Sequence, residues 1–456
     1  MFSEFPSRLR RTAPCSRALA CVAVAAIASV AALAEPPRAT IELAPEPTPV
    51  SHGLTLDTAV NYALQNNPEI AAVRQQHGIA AAGVVIARTY PFNPTLESRV
   101  RFAGGPLSAT VTNPVPFEHT VLLEWEIRHQ RRYRREEAVA ALSRTDAEIA
   151  FQEMNLAIRV IRAFNTAVYR RDKLRLAEEV FRINADAARR AQQLMQQAHG
   201  VRPPDLIVAR AEALATQTLI GPARTAVVAA RYDLNRLLGV VDEGEELAGA
   251  LPAAPREWNR DALVDSALGQ RPDLRARRAA VAESGAALRL EIANRFGNPT
   301  FGPAFEYDPT EIQMIGGQFI VPLPILNLHR GEIMQREAQQ GQAVMQLRQS
   351  EFEIRQDVNS ALAELESAKR SLEVYEAQVV ELEKALKAME RLFESAEVDT
   401  LRVIDVRRKL IQARDGRLDA QFDISQSLAN LAAAVGDPTL AINVPAIMGA
   451  DQEIRP

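Results

Sequence analysis

The sequence predicts a mainly α-helical protein with a β portion, built from one unit used twice: helix, two strands, very long helix, return helix. Three observations predict it. "ALQNNPEIAAVR" at residues 63–74 returns as "ALGQRPDLRARR" at 267–278, and "NPTL" at 93–96 returns as "NPTF" at 298–301, about 200 residues further on. A repeat at fixed spacing marks a duplicated structural unit. Four segments alternate apolar and polar residues with period two, two in each copy. Finally, residues 131–199 contain neither proline nor glycine, which leaves a helix nothing to stop it.

Taken in order, residues 1–34 read as a secretory signal peptide. Arg8, Arg10, Arg11 and Arg17 precede the apolar "ALACVAVAAIASVAALA", and Ala32 and Ala34 place small residues where a signal peptidase reads. A membrane anchor is the competing reading, but the apolar run is at the short limit for a span. Both cysteines of the chain, Cys15 and Cys21, lie in this segment, so the processed chain has no thiol for a disulfide, a nucleophile or a metal. Cys21 as a lipid-attachment site is disfavoured, because Ala18 and Leu19 fit such a site poorly. No other segment is apolar enough for a transmembrane helix, so any further spanning must use β-strands. Residues 35–53 are an extended lead-in, 54–239 the first repeat, 240–258 a linker, 259–436 the second repeat and 437–456 a tail.

Each repeat opens with a short helix near Leu56 or Asp261, interrupted at Asn67-Pro68 or Arg271-Pro272, and a longer helix follows to about Thr89 or Ala293. In the first strand Leu96, Ser98, Val100 and Phe102 oppose Glu97, Arg99 and Arg101. In the second, Val121, Leu123, Trp125 and Ile127 oppose Leu122, Glu124, Glu126 and Arg128. The second repeat offers Phe301, Phe305 and Tyr307 against Glu306 and Asp308, then Phe319, Val321 and Leu323 against Gln318 and Ile320. Such alternation gives one wet and one apolar face. It fits a soluble sheet on a core, or a barrel wall with lipid outside and water inside. Four strands cannot close around water, so the barrel needs several chains.

The long helices follow. In the second repeat Leu365, Leu372, Val379, Leu386 and Phe393, with Ala368, Tyr375, Leu382, Met389 and Ala396, form an a/d heptad seam. The first repeat has a weaker seam of Leu174, Phe181, Ala188 and Met195 beside Ala177, Ala191 and Ala198. A helix from 131 to 199 would be roughly 100 Å long, too long for a compact domain. Pro203 and Pro204 must end it.

A strand, "PLPI" with Pro322 and Pro324, then "N.HRGEI" with Arg330 and Gly331 opening an unbroken helix resembles a junction of the TolC-type outer membrane factors of Gram-negative bacteria. The "AL..NPE" opening, the duplication and "LLG" at the end of the first copy resemble the same family, and "PLPILN.HRGEI" looks most like its heavy-metal (cobalt-zinc-cadmium) efflux branch. The resemblance implies a homotrimer. Three chains pool their strands into one twelve-stranded outer-membrane β-barrel, continued by a periplasmic α-helical barrel, with the two prolines marking the bend. It implies three partners besides outer-membrane lipid and further copies: a periplasmic membrane-fusion adaptor, an inner-membrane pump of the resistance-nodulation-division type and the cargo the pump delivers. It implies an adaptor-contacting tip at Gly200, Val201, Pro203, Pro204, Asp205 and Leu206, with Asp399, Thr400, Leu401 and Asp405. Glu394, Glu397, Asp399 and Asp405 are candidates for an acidic ring at the constriction; the plain alternative is that they cap helices and face solvent. "DLIVAR" at 205–210 fits the family's tip, whereas Glu397 stands where a glycine is usual, and "IRHQRRYRRE" replaces a glycine-containing turn at the first junction.

Nothing points to an enzyme, a cofactor or a bound metal. H-E-x-x-H, G-x-S-x-G and phosphate-binding glycine loops are missing. His52, His77, His119, His129, His199 and His329 show no i, i+4 pairing, and Met154, Met195 and Met389 are spaced as packing residues. A net charge of −4 gives no sign of a nucleic-acid partner. The expected function is a passive exit channel for metal ions or small toxic molecules. A type I protein secretion duct and a periplasmic coiled-coil scaffold or adaptor remain as alternatives.

Overall fold

The computed structural model describes residues 53–102, 112, 115–196, 203–240, 247–252, 257–394 and 400–442. Helices α1 (Leu56–Asn66) and α2 (Pro68–Arg88) lead to strands β1 (Thr95–Val100) and β2 (Phe117–Glu124), then α3 (Gln130–Gln196) and α4 (Pro203–Leu238). The order repeats in α5 (Arg260–Gln270), α6 (Pro272–Asn294), β3 (Thr300–Tyr307), β4 (Gln313–Ile320), α7 (Arg330–Glu394) and α8 (Thr400–Val435), with a closing turn α9 (Thr439–Ile442). Asn67 separates α1 from α2: its side chain accepts from the N–H groups of Glu69 and Ile70, and Pro68 takes the first helical position, where a missing N–H costs nothing.

The helices form four side-by-side columns. α3 packs against α2 and α4 on one side and against α6 and α8 on the other, and α7 packs against α6 and α8. The end of each return helix meets the start of an earlier helix. Gly239 (φ 77°) ends α4 against Asn66 and Pro68, and Gly436 (φ 84°) ends α8 against Arg271. A Cβ on Gly436 would stand 2.7 Å from Arg271 Cγ. Column one is thus α4 with α2, column two α3, column three α8 with α6, and column four α7.

The core lies at mid-height. Leu156, Val160, Ile161, Phe164 and Val168 of α3 are buried with Val60 and Ala63 of α1 and Leu234 and Leu238 of α4. Ile354, Val358 and Leu365 of α7 are buried with Leu263 and Leu274 and with Ile424, Leu428 and Leu431 of α8. Each such Leu or Ile contributes about 1.5–3 kcal/mol by burial. The heptad seam of α7 begins earlier than expected: Ile354, Val358, Ala361, Leu365, Ala368 and Leu372 are buried at alternating steps of four and three, and Val379 is buried one heptad further on. The weaker seam of α3 is corrected in part. Ala188 and Ala191 are buried, and so are Val180 and Asn184 before them, whereas Leu174 and Phe181 are only half-buried. α3 has partners on several sides, so one stripe does not describe it.

The strands form one antiparallel sheet in the order β1-β2-β3-β4. β2 and β4 end earlier on the helix side than their alternation predicts, and prolines are the reason. Trp125 N donates to Pro299 O at 2.8 Å, but Pro299 has no N–H to return, so β2 ends at Glu124 and not near Arg128. β4 ends at Ile320, two residues before Pro322, so Val321 and Leu323 are not strand residues. Its body, "QMIGGQFI", was hidden from the alternation by Gly316 and Gly317, which carry no side chain to read. Gly302 lets β3 approach β2 closely: a Cβ there would fall 1.6 Å from Val121 O.

Candidate functional site

The register sorts side chains by face. Leu96↔Val121, Val100↔Phe117, Phe117↔Tyr307, Leu123↔Phe301, Phe301↔Phe319 and Phe305↔Ile315 are paired on one apolar face. Its rings touch across strands, Phe117 lying 5.5 Å from Tyr307 and 6.0 Å from Phe305. The opposite face carries Glu97, Arg99, Glu118, Glu124 and Glu306. Arg99 sits 3.5 Å from Glu97 and 3.6 Å from Glu118, so charge of both signs is matched locally. Two residues expected on this wet wall are placed elsewhere, because β2 has already ended. Glu126 is buried in a two-pronged pair with Arg134 of α3 (2.5 and 3.2 Å), and Arg128 stacks on Phe296, 4.1 Å from the ring centre. Arg101 follows the end of β1, its N–H bonded to Pro116 O.

Strand does not run straight into helix at either junction. Residues 125–129 separate β2 from α3, and residues 321–329 separate β4 from α7. The turn into each helix falls on a histidine in the left-handed region, His129 (φ 63°) and His329 (φ 51°). His129 therefore occupies the place where a glycine turn was expected, at a steric cost of about 1–2 kcal/mol. Pro322 rests on Gly297 (φ 65°), Arg330 is the first residue of α7 and Gly331 the second. His329 Nδ1 lies 3.1 Å from Glu291 of α6, which ties the turn to the neighbouring column.

At the other end, Gly200, Val201, Glu397 and Asp399 lie outside the described residues. Pro203 and Pro204 open α4 and are exposed; Asp205 and Leu206 are buried, Leu206 among Ala188, Ala191 and Ala209. Glu394 is the last residue of α7, and Thr400 and Leu401 begin α8. Asp405 is exposed, with Lys409 Nζ 3.0 Å away, so its charge is partly answered within its own helix.

Sequence reading missed the braces that tie α8 to the other three columns. Arg407 reaches Glu390 of α7 at 3.0 Å. Arg408 holds both oxygens of Glu212 on α4 at 3.1 and 2.9 Å. Arg414 spans Glu179 of α3 (3.3 Å) and Glu383 of α7 (2.8 Å). Further up, Asp419 accepts from Tyr169 at 2.6 Å and pairs with Lys173 at 2.7 Å; Lys173 also pairs with Asp415. Burial works against the Lys173 ammonium, yet the hydrogen bonds to Asp415 and Asp419 outweigh it and hold its pKa above the ordinary lysine value. No local motif marks these pairs, whose partners are up to 250 residues apart in sequence. α4 carries Pro222 within its length, and a cavity of about 510 Å³ opens there between α3, α4 and α8, lined in part by Lys173 and Asp415. Among the described residues no cluster of three His, Cys, Asp or Glu side chains is placed to hold a metal, and no helix is long and apolar enough to cross a membrane.

Known proteins resemble this chain in sequence and fold. The outer membrane efflux protein family matches residues 263–437, nearly all of the second repeat. The cobalt-zinc-cadmium resistance protein CzcC of Cupriavidus metallidurans is 24% identical over 367 residues, covering 79% of this chain and 85% of that protein. Among solved structures, a CusC structure superposes with a TM-score of 0.68 at 17% identity, covering 84% of this chain and 92% of that one. The open-state MtrE outer membrane channel of Neisseria gonorrhoeae does so with a TM-score of 0.67 at 18% identity, covering 84% and 89%. At these identities the structures speak for the fold alone. The family match over the second repeat and the relative aligned across most of the chain make this chain similar to the outer membrane efflux proteins, and it shares the fold of the solved channels.

Proposed function

We propose that three copies of this chain close side by side into a twelve-stranded barrel and a helical tunnel. The tunnel gives passive exit to metal ions or small toxic molecules delivered by a periplasmic adaptor and a resistance-nodulation-division pump. One observation carries the reading: sheet and helix layers are open at the same two sides. Among the described residues β1 and β4 each lack a second neighbour, and they lead from column one and into column four. The outer helices carry apolar rows there: Ile79 and Ile86 on α2, Ile207 and Leu214 on α4, and Met334, Met345 and Phe352 on α7, each more than 60% exposed. An edge strand with free N–H and C=O groups cannot stand in lipid, so β4 of one copy must meet β1 of the next. The head-to-tail contact then closes a ring, and likeness to the outer membrane efflux channels supports three copies.

Likeness to a cobalt-zinc-cadmium resistance protein supports heavy-metal cargo. The chain is processed after Ala34. Residues 54–239 and 259–436 form the wall of the tunnel, with 35–53, 240–258 and 437–456 as connecting segments. Gly200, Val201, Pro203, Pro204, Asp205 and Leu206, with Asp399, Thr400, Leu401 and Asp405, face the adaptor. At the tip, Glu394, Glu397, Asp399 and Asp405 concentrate negative potential around the axis and favour cations. Pro322, Pro324, Arg330 and Gly331 carry the wall from sheet to helix. The test is fractionation, native mass in detergent and complementation. A detergent-requiring trimer that restores resistance to cobalt, zinc or cadmium supports the reading. A soluble monomer or dimer overturns the barrel, and restored drug resistance without metal resistance overturns the cargo. Unchanged cation preference in single-channel recordings of Asp399→Asn and Asp405→Asn trimers would remove the acidic ring.

A further inference from the structure

The barrel's apolar band does not end where its sheet ends. β2, β3 and β4 have eight residues each. At about 3.4 Å per residue and a tilt near 40°, such strands rise roughly 20 Å, short of the ~25 Å apolar band of outer-membrane barrels. The shortfall is not made up at the β3–β4 hairpin. That turn is polar: Asp308 accepts from Thr310 N at 2.7 Å and Ile312 N at 3.0 Å. At the helix end the apolar face continues past the ladder. Beyond Phe319 of β4, Val321, Leu323, Ile325 and Leu326 are exposed, Leu323 at 74%, Ile325 at 77% and Leu326 completely. Beyond Leu123 of β2, Trp125 and Ile127 are exposed in the same way.

Two properties fit this segment to lipid. Irregular backbone is excluded from hydrocarbon because its N–H and C=O groups go unpaired. In residues 321–326, Pro322 and Pro324 have no N–H, and Ile325 N–H is bonded to Leu323 O at 2.9 Å, so half of the six donor positions need nothing from water. Exposed basic residues come next at both junctions, Arg330 after one and Arg131 and Arg132 after the other, where anionic headgroups would meet them.

We infer that residues 321–326, with Trp125 and Ile127 beside them, form a lipid-contacting rim that seats the barrel in the inner leaflet of the outer membrane, against phospholipid acyl chains just below the sheet. The inference rests on the barrel reading and moves the membrane boundary from the ends of the strands to the threshold of α7. The processed chain has no cysteine, so nitroxides can be placed singly at Phe305→Cys, Leu323→Cys, Leu326→Cys and, as the aqueous reference, Glu373→Cys. All four side chains lie at or near the surface, so the substitutions spare the core. In vesicles of phosphatidylethanolamine and phosphatidylglycerol, collision with oxygen should exceed collision with the water-soluble nickel chelate at 305, 323 and 326, and the order should invert at 373. Nickel access at 323 and 326 with oxygen preference kept at 305 overturns the rim and spares the barrel. Protection of 323 and 326 from both reagents assigns them to a neighbouring copy and also overturns the rim. Nickel access at 305 overturns the barrel itself.

Discussion

At the head of α2, Asn67 donates from its side-chain amide to the carbonyl of Leu237 at 2.7 Å, closing the end of α4 onto its own repeat. At the same place in the second repeat stands Arg271. It donates to the carbonyl of Ala434 at 3.0 Å and also binds Asp273 (2.7 Å) and Asp357 (3.3 Å). A left-handed glycine, Gly239 or Gly436, makes room in both. The geometry is shared and the chemistry is not. One lock is a neutral amide, the other a cation that also recruits α7. What the duplication preserves is a polar side chain that reaches the last carbonyls of the return helix.

The comparison can be broken, and the largest effect should come where the repeats differ most. β3 carries Gly302 where β1, an edge strand, carries Glu97. Gly302→Ala should cost about 3 kcal/mol or more by driving Val121 away and should abolish the unboiled trimer band, whereas Glu97→Ala should leave it. The long helices differ next. Leu372→Ala in the buried seam of α7 should cost about 3 kcal/mol, and Phe181→Ala on half-buried α3 about half of that, as read from denaturant midpoints. Between the locks, Arg271→Ala should cost about 2–3 kcal/mol, since it strands two carboxylates and a carbonyl. Asn67→Ala should cost about 1–2 kcal/mol, the loss of a cap and one hydrogen bond.

The smallest effect concerns α8 alone. Burial, and then the nearby Asp419, raises the Asp423 pKa above the ordinary carboxylate value. A carboxylate raised on folding costs stability above its folded pKa and returns it as pH falls through that value toward the unfolded one. Asp423→Asn should therefore raise the thermal midpoint slightly at neutral pH and remove that gain on acidification. An unchanged pH profile in the variant would refute the assignment.

Much was legible in sequence where one residue type does one local job. Asn67-Pro68 and Arg271-Pro272 break helices because proline lacks an N–H, and Leu365, Leu372 and Val379 share a face because of helix period. The family likeness rested on the same kind of signal, the repeat and the "PLPI" junction. Strand ends were misplaced by three or four residues, because side-chain alternation continues through Val321 and Leu323 after Pro322 has ended the hydrogen-bond ladder. The α3 seam was misread because the rod has several partners, and the braces of Arg407, Arg408 and Arg414 left no trace because their carboxylates sit on other helices.

By itself, then, the sequence determined the duplicated unit, the two long rods, the period-two walls and the breaks between them. Those follow from backbone sterics and the two side-chain periodicities, which act over a few residues. Only the tertiary structure decided which columns stand side by side, that sheet and helices are open at the same two sides, and that the apolar face outlasts the sheet. These depend on which surfaces meet in space, and residues far apart in the chain meet with no mark in local spacing.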